Sequence, residues 1–252
     1  MEHRHALLRG QVVVATVPNS LVLFDIDGTL LRAGDPAHQQ AFVEAFEEVY
    51  GLPVTLEGVQ LAGALDANIA RTLFELHEVD LNDAHSLLDQ MMSSMGTRYR
   101  KSVLEIELRE RLLPGVTDAI TACAVQGWET GVLTGNARSV AYAKLERAGL
   151  SDLLVTGAFG DSARERAHLV EVAIAAAREA TGFEFAPERT VLVGDTPHDI
   201  RAARESGSLV LAVATGRFDV HALAQHEPDA LLSDLGDTQA FVQAVKKVLA
   251  LD

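Results

Sequence analysis

Five short apolar runs constrain this chain more than any other feature: "LVLFDI" (21–26), "TGVLT" (130–134), "DLLVTGAF" (152–159), "TVLVG" (190–194) and "LVLAVAT" (209–215). Each has strand length and lacks the polar alternation of a half-exposed strand, so each reads as a strand buried on both faces. Helical patterns separate the later runs. Residues 116–126 carry Val116, Ala119, Ile120 and Cys123, and residues 138–149 carry Val140, Ala141, Leu145 and Ala148, closed by Gly149. Residues 165–181 carry Leu169, Val172, Ala173 and Ala176, and residues 197–206 end at Gly207. Glycine just past a helical pattern is a stop signal. Strands alternating with helices bury all their apolar faces when the strands lie parallel in one sheet and the helices cover both sides.

The stretch 34–107 breaks this alternation. It holds no convincing strand but three helical patterns at three- and four-residue steps: Phe42, Phe46 and Val49; Ile69, Leu73 and Leu76; Leu88, Met91, Met92, Met95 and Tyr99. The methionines read as a stripe between packed helices, not as a cofactor site. We expect an α/β core from residues 1–33 and 108–252, with an all-helical unit, 34–107, inserted after the first strand. That position leaves the carboxyl edge of a parallel sheet, where ligands bind, so the insert is expected to sit over any site there.

Charge and cysteine usage narrow the function classes. Lys and Arg total 21 against 36 Asp and Glu, a net charge of −15, which repels nucleic-acid backbones and anionic membranes. Cys123 is the only cysteine, which excludes an intramolecular disulfide and a cysteine metal cluster; its neighbours mark it as a core residue. No apolar run approaches the roughly 18 residues of a membrane span, and "VVVATV" is too short for a secretion signal, so a cytoplasmic protein is expected. His3 and His5 read as part of a solvated terminus. No GxxxxGK[ST], GxGxxG or HExxH pattern occurs, which argues against a nucleotide triphosphatase, a dinucleotide enzyme and a zinc peptidase.

The strand ends carry the chemistry. The first gives Asp25 and Asp27, the second Thr134, Gly135 and Asn136 in "LTGN", and the fourth Asp195 and Asp199 in "GDTPHD". Parallel strands bring these ends to one edge. Asp25 facing Asp195 would repel by about 4 kcal/mol at 4 Å and an effective dielectric of 20, so a cation must hold them together. Oxygen donors without cysteine or convergent histidine suit a hard ion, Mg²⁺ beside a phosphate. Gly28 permits a sharp turn after Asp27. Thr134 offers a hydroxyl, and the helix start after Asn136 offers N–H groups to an anion. Asn136 reads equally well as a helix cap, and Asp199 equally as compensation of a helix dipole. His198 reads as a residue behind the site or facing solvent.

"DIDGT", "LTGN" and "GDTPHD", in this order, resemble the haloacid dehalogenase superfamily of hydrolases, and the match runs from about Leu21 to Gly216. The resemblance implies a Rossmann-like α/β fold with the insert as a helical cap, and an activity like that of phosphoglycolate phosphatases. It implies that Asp25 is the nucleophile that becomes an aspartyl-phosphate and that Asp27 is the general acid and then base. Thr134 and neighbouring N–H groups, Gly135 and Asn136 included, would hold phosphate oxygens. Asp25, the carbonyl of Asp27, and Asp195 would hold Mg²⁺, with Gly28 and Asp199 in support. The substrate implied is a small phosphorylated metabolite. The family's usual lysine between the second and third acidic motifs is missing, since no lysine lies between Lys144 and Lys246. Arginine is the candidate, Arg166 before Arg164. Gly63 and Asp66 in "LAGALDANIAR" are the cap candidates, with Asp66 read as an N-cap for the helix bearing Ile69 and His38 and Arg71 as outlying possibilities.

Rival readings follow from the same residues. Halide displacement and phosphonate cleavage have no use for a second aspartate at position 27. A sugar-phosphate mutase uses both aspartates and differs in its cap. A binding module that has lost catalysis would be expected to have lost Asp25, Asp27 or Asp195. Monomer and homodimer are equally open.

Overall fold

The computed structural model describes residues 20–79, 81–104 and 106–251; His3, His5 and the leader lie outside them. Its strands are β1 (Leu21–Phe24), β2 (Glu129–Leu133), β3 (Gly157–Ala158), β4 (Thr190–Gly194), β5 (Leu209–Val213) and β6 (Ala230–Leu232). They form one sheet in the order β3-β2-β1-β4-β5-β6, and every pairing is parallel. The chain runs outward from β1 through β2 to β3, then returns to the other side of β1 for β4. This reversal leaves a crevice at the carboxyl ends of β1, β2 and β4, where open α/β sheets bind ligands.

Helices α1 (Pro36–Tyr50), α2 (Asp66–Leu76), α3 (Leu81–Ser86) and α4 (Leu88–Ser102) lie between β1 and β2. The later helices are α5 (Val116–Val125), α6 (Arg138–Ala148), α7 (Arg166–Thr181), α8 (Pro197–Ser206), α9 (Val220–Ala224) and α10 (Thr238–Val248). Alternate strand residues feed the two faces of the sheet. Val22, Phe24, Val132, Val191 and Val193 pack with Ile120, Leu145 and Phe241 of α5, α6 and α10. Leu21, Leu23, Leu133 and Leu192 pack with Leu169, Ala173 and Ile200 of α7 and α8 on the opposite face.

The insert has its own apolar centre, in which Phe42, Phe46, Phe74, Met91, Met92, Met95 and Tyr99 are buried. It continues without a break into Ala137, Val140 and Ala143 at the start of α6. Helices α4 and α6 cross closely at Gly96, where a Cβ would overlap the Ser139 side chain, and the Ser139 hydroxyl donates to the Met92 carbonyl at 2.9 Å. The insert is therefore seated on the helix that follows "LTGN", over the crevice.

The sheet differs from the sequence expectation at its edges. Only Gly157–Ala158 of the run 152–159 pairs, because Leu154 N–H returns to the Leu150 carbonyl and both leucines anchor a turn in the core. Val155 is left 50% exposed, as an edge position allows. β6 and α10 were not anticipated: β6 is a three-residue, half-buried edge strand, and α10 covers it through buried Phe241 and Val245. Cys123 is buried as expected, and burial pushes its thiol up to about 12, so it is inert. Among the described residues no helix is long and apolar enough to cross a membrane.

Candidate active site

Asp25 is the first residue past β1, and its N–H still bonds the Val193 carbonyl of β4 at 2.9 Å. Its side chain is buried, with Oδ1 accepting from the Ile26 N–H at 2.7 Å and Oδ2 2.9 Å from Arg166 Nη2. Asp195 leaves β4 beside it, where Thr29 Oγ1 donates to it at 3.3 Å. Asp199 stands on the first turn of α8. Its carboxylate accepts from the Thr196 N–H at 3.0 Å and hydroxyl at 2.7 Å, closing a capping box. It also receives Arg166 Nε at 2.9 Å and lies 2.6 Å from Nη2. The Asp199 carboxylate thus both caps α8 and holds Arg166. Asp25, Asp195 and Asp199 each offer an oxygen within 4.8 Å of the others.

This acidic cluster is under-compensated. Burial, then the charges of Asp199 and Asp25, push Asp195 up to about 8. Burial also pushes Asp25 up to about 6, against the pull of Arg166. Two neighbouring glycines are required by the approach of Asp195. Gly28 has φ +92° and a Cβ there would overlap the Asp195 carboxylate, as would one at Gly216. Three buried carboxylates facing one guanidinium, with oxygen donors only, fit a hard divalent cation such as Mg²⁺.

Arg166, the first residue of α7, is the buried arginine, whereas Arg164 is exposed and contributes only its carbonyl, to Asn68 Nδ2 at 2.7 Å. Arg166 Nη1 is buried without a hydrogen-bond partner, beside Gly135. An orphaned donor in a charged crevice marks a place for an anion. Thr134 completes that place. Its Oγ1 accepts from the Asn136 N–H at 3.3 Å and from Nδ2 at 2.7 Å, so its own hydrogen is left to donate. At Gly135 a Cβ would overlap the Ala64 carbonyl of the insert, and the Gly135 carbonyl accepts from the Asp66 N–H at 2.8 Å.

The environment of Asp27 is what sequence reasoning missed. Its Oδ2 accepts from Lys144 Nζ at 2.6 Å and from Asn136 Nδ2 at 2.8 Å. Lys144, on α6, is wholly buried and also donates to Asn136 Oδ1 at 2.8 Å and His38 Nδ1 at 3.4 Å. Burial works against the Asp27 carboxylate, but Lys144 and His38 together hold it below the usual range. Asp27's side chain is therefore turned away from the acidic cluster. Asn136 is not the helix cap: α6 has Ala137 at that position, and the Asn136 amide is spent on Asp27 and Lys144. One signal could have found Lys144, its spacing of four residues from both Val140 and Ala148 on a buried helical stripe.

The insert candidates Gly63 and Asp66 both line the crevice, but the N-cap reading of Asp66 fails. Asp66 does not cap its own helix, whose N-cap is Leu65 without a side-chain bond. Its Oδ2 instead accepts from the Ala137 N–H of α6 at 2.7 Å and lies 3.1 Å from His38 Nε2. The reason is proximity: the loop before α2 lies on the start of α6, whose N–H groups need acceptors. Gly63 meets His198, whose Cδ2 would be 2.6 Å from a Cβ there, so His198 supports the insert's loop. Arg71 donates to Asn68 at 2.7 Å and does not line the crevice. Between insert and sheet edge lies a cavity of about 490 Å³ whose walls include Asp25, Asp27, Thr134, Arg166, Asp195 and Phe42.

A family model for haloacid dehalogenase-like hydrolases matches residues 20–207. The chain is 27% identical over 216 residues to a phosphoglycolate phosphatase of Agrobacterium fabrum, covering 85% of this chain and 88% of that one. It is 24% identical over 234 residues to the pyrophosphatase PpaX of Bacillus pumilus, covering 88% and 96%. A β-phosphoglucomutase structure from Clostridium difficile superposes with a TM-score of 0.67 at 13% identity, over 93% of this chain and 100% of that one, which shows a shared fold.

Proposed function

The chain belongs to the haloacid dehalogenase-like hydrolase family, and from that premise we propose that it is a Mg²⁺-dependent phosphatase acting on a small phosphate monoester through an aspartyl-phosphate on Asp25. The observation that carries this reading is the pairing of a buried carboxylate, Asp25, with a guanidinium whose Nη1 is buried and unpartnered. The phosphatase and pyrophosphatase relatives support it.

Arg166, the Thr134 hydroxyl and the Gly135 N–H would hold the phosphoryl oxygens, so that phosphorus faces an oxygen of Asp25. The new bond forms between that oxygen and phosphorus while the bond to the ester oxygen breaks, and Asp27 supplies the departing oxygen with a proton. Water then attacks the aspartyl-phosphate, Asp27 takes its proton, and Asp25 is released as carboxylate. Asp27 must enter the first half carrying a proton from solvent, against the pull of Lys144, and the Lys144 ammonium favours the carboxylate that the second half requires. Asp199 keeps Arg166 aimed at the phosphate. Asp25 and Asp195, with the Asp27 backbone carbonyl, would hold Mg²⁺, which supplies neutralisation of the charge gathered during transfer.

The test is release of inorganic phosphate from an aryl phosphate with Mg²⁺ and with EDTA. Steady turnover that needs Mg²⁺ and disappears in Asp25→Asn is expected. Equal turnover by Asp25→Asn would remove Asp25 from the chemistry.

A further inference from the structure

Resting on the phosphatase reading, we propose that the alcohol released is neutral and largely apolar, not a carboxylate or a second phosphate. The cavity has two unlike ends. At the sheet edge stand Asp25, Asp195, Thr134 and Arg166. Beneath the insert, the wall is Phe42 of α1, Ile69 of α2, and Leu56 and Leu61 from the loop between these helices.

Among the described residues, the cations beside the insert's apolar wall, Lys144 and His38, are already engaged. Lys144 directs its three donors at Asp27, Asn136 and His38. Both nitrogens of His38 are engaged, by Lys144 and by Asp66. The other charged side chains there are carboxylates: Asp27, Asp35, which accepts from the Tyr99 hydroxyl at 2.7 Å, and Asp66. Arg217 also lines the cavity; it is exposed, and its backbone follows Gly216, where a Cβ would overlap Asp195, so its main chain stands at the phosphate end. A leaving group bearing a carboxylate would lie among three acids whose cationic partners, Lys144, Arg111 and His38, are already shared with those acids. Several sugar hydroxyls would face the apolar side chains of Phe42, Leu56, Leu61 and Ile69 at this end of the cavity. An alkyl or aryl body would instead exchange water for Phe42, Leu56, Leu61 and Ile69, within a cavity of ordinary size for a small-molecule site.

The full chain with Mg²⁺ would be assayed on methyl, propyl and hexyl phosphate, phenyl phosphate, 2-phosphoglycolate and pyrophosphate. Burial of each methylene is expected to raise kcat/KM about fourfold along the alkyl series. Hexyl and phenyl phosphate should exceed phosphoglycolate by at least about tenfold. Leu61→Lys, which places a cation on the apolar wall, should compress the ratio of hexyl phosphate to phosphoglycolate by about tenfold or more. A flat alkyl series, or a preference for phosphoglycolate or pyrophosphate, overturns the inference while leaving the phosphatase reading intact. No turnover of any ester, phenyl phosphate included, overturns both.

Discussion

Asp195→Asn tests whether the acidic cluster is an unfilled demand for positive charge. In the unfolded chain this carboxyl releases its proton near 3.8, whereas in the folded protein burial and the charges of Asp199 and Asp25 hold the proton until about 8. The folded state therefore binds the extra proton, and the stability this confers is complete below 3.8 and lost as pH rises toward about 8. Each tenfold change in proton affinity is about 1.4 kcal/mol, which bounds the loss at roughly 6 kcal/mol. Because the three acids share their repulsion, about 3 kcal/mol is a reasonable share for Asp195. In a chain of this length that corresponds to roughly 6–12 °C in Tm. Asn cannot ionise, so Asp195→Asn in EDTA should be more stable than the native chain near pH 8, by a margin that narrows at pH 5 and closes near 3.8. Mg²⁺ should reverse the order, because only the native chain keeps its ligand. Thermal melts at several pH values, with EDTA and with Mg²⁺, give all four comparisons. Asp27 titrates in the opposite sense, its pairing being lost only on acidification below the usual carboxylate range, so it does not distort the window between pH 5 and 8. If the native chain and Asp195→Asn keep the same difference in Tm at both pH values in EDTA, the cluster carries no such strain and the argument for a cation there fails.

Arg166→Ala should lower kcat/KM by about 10²–10³, as loss of a charged transition-state donor does, while Arg164→Ala stays near the native value; the reverse pattern would move the phosphate clamp to Arg164. Lys144→Met should lower kcat more than it raises KM, because Asp27 loses its anchor and not the substrate its binding groups, and Lys144→Arg should restore part of kcat; steady-state kinetics separate these. Gly28→Ala combines a strained φ with overlap on Asp195, so a drop in Tm of several degrees and weaker Mg²⁺ binding by calorimetry are expected. Asp66→Ala removes the acceptor for the Ala137 N–H and should cost about 1 kcal/mol in urea unfolding; no change would mean that this contact between insert and α6 is idle.

Legibility in the sequence followed the range of the interactions involved. β1, β2, β4 and β5 are interior strands covered on both faces, so their apolar runs announced them, whereas β3 and β6 lie at the edges, where short pairing and partial exposure erase the pattern. The convergence of Asp25, Thr134 and Asp195 was readable because parallel strands all end at one edge. The cap readings of Asp66 and Asn136 fail for a common reason: each was judged against its own helix, and each spends its side chain elsewhere. Asp66 crosses to α6, and Asn136 turns back to Asp27. Lys144 shows where local reasoning stops. Helix α6 gives Val140 and Ala143 to the insert and Ala141, Leu145 and Ala148 to the core beneath the sheet, so a residue between those two faces has no route to solvent. An ammonium placed there must find acceptors at the crevice, and it finds Asp27, Asn136 and His38. Because His38 belongs to the insert and Asp27 to the end of β1, the same buried charge ties the proposed acid–base residue to the seating of the insert. Closure over the substrate and alignment of Asp27 then share one set of hydrogen bonds, and a substitution that unseats the insert should lower kcat even where it touches no substrate atom.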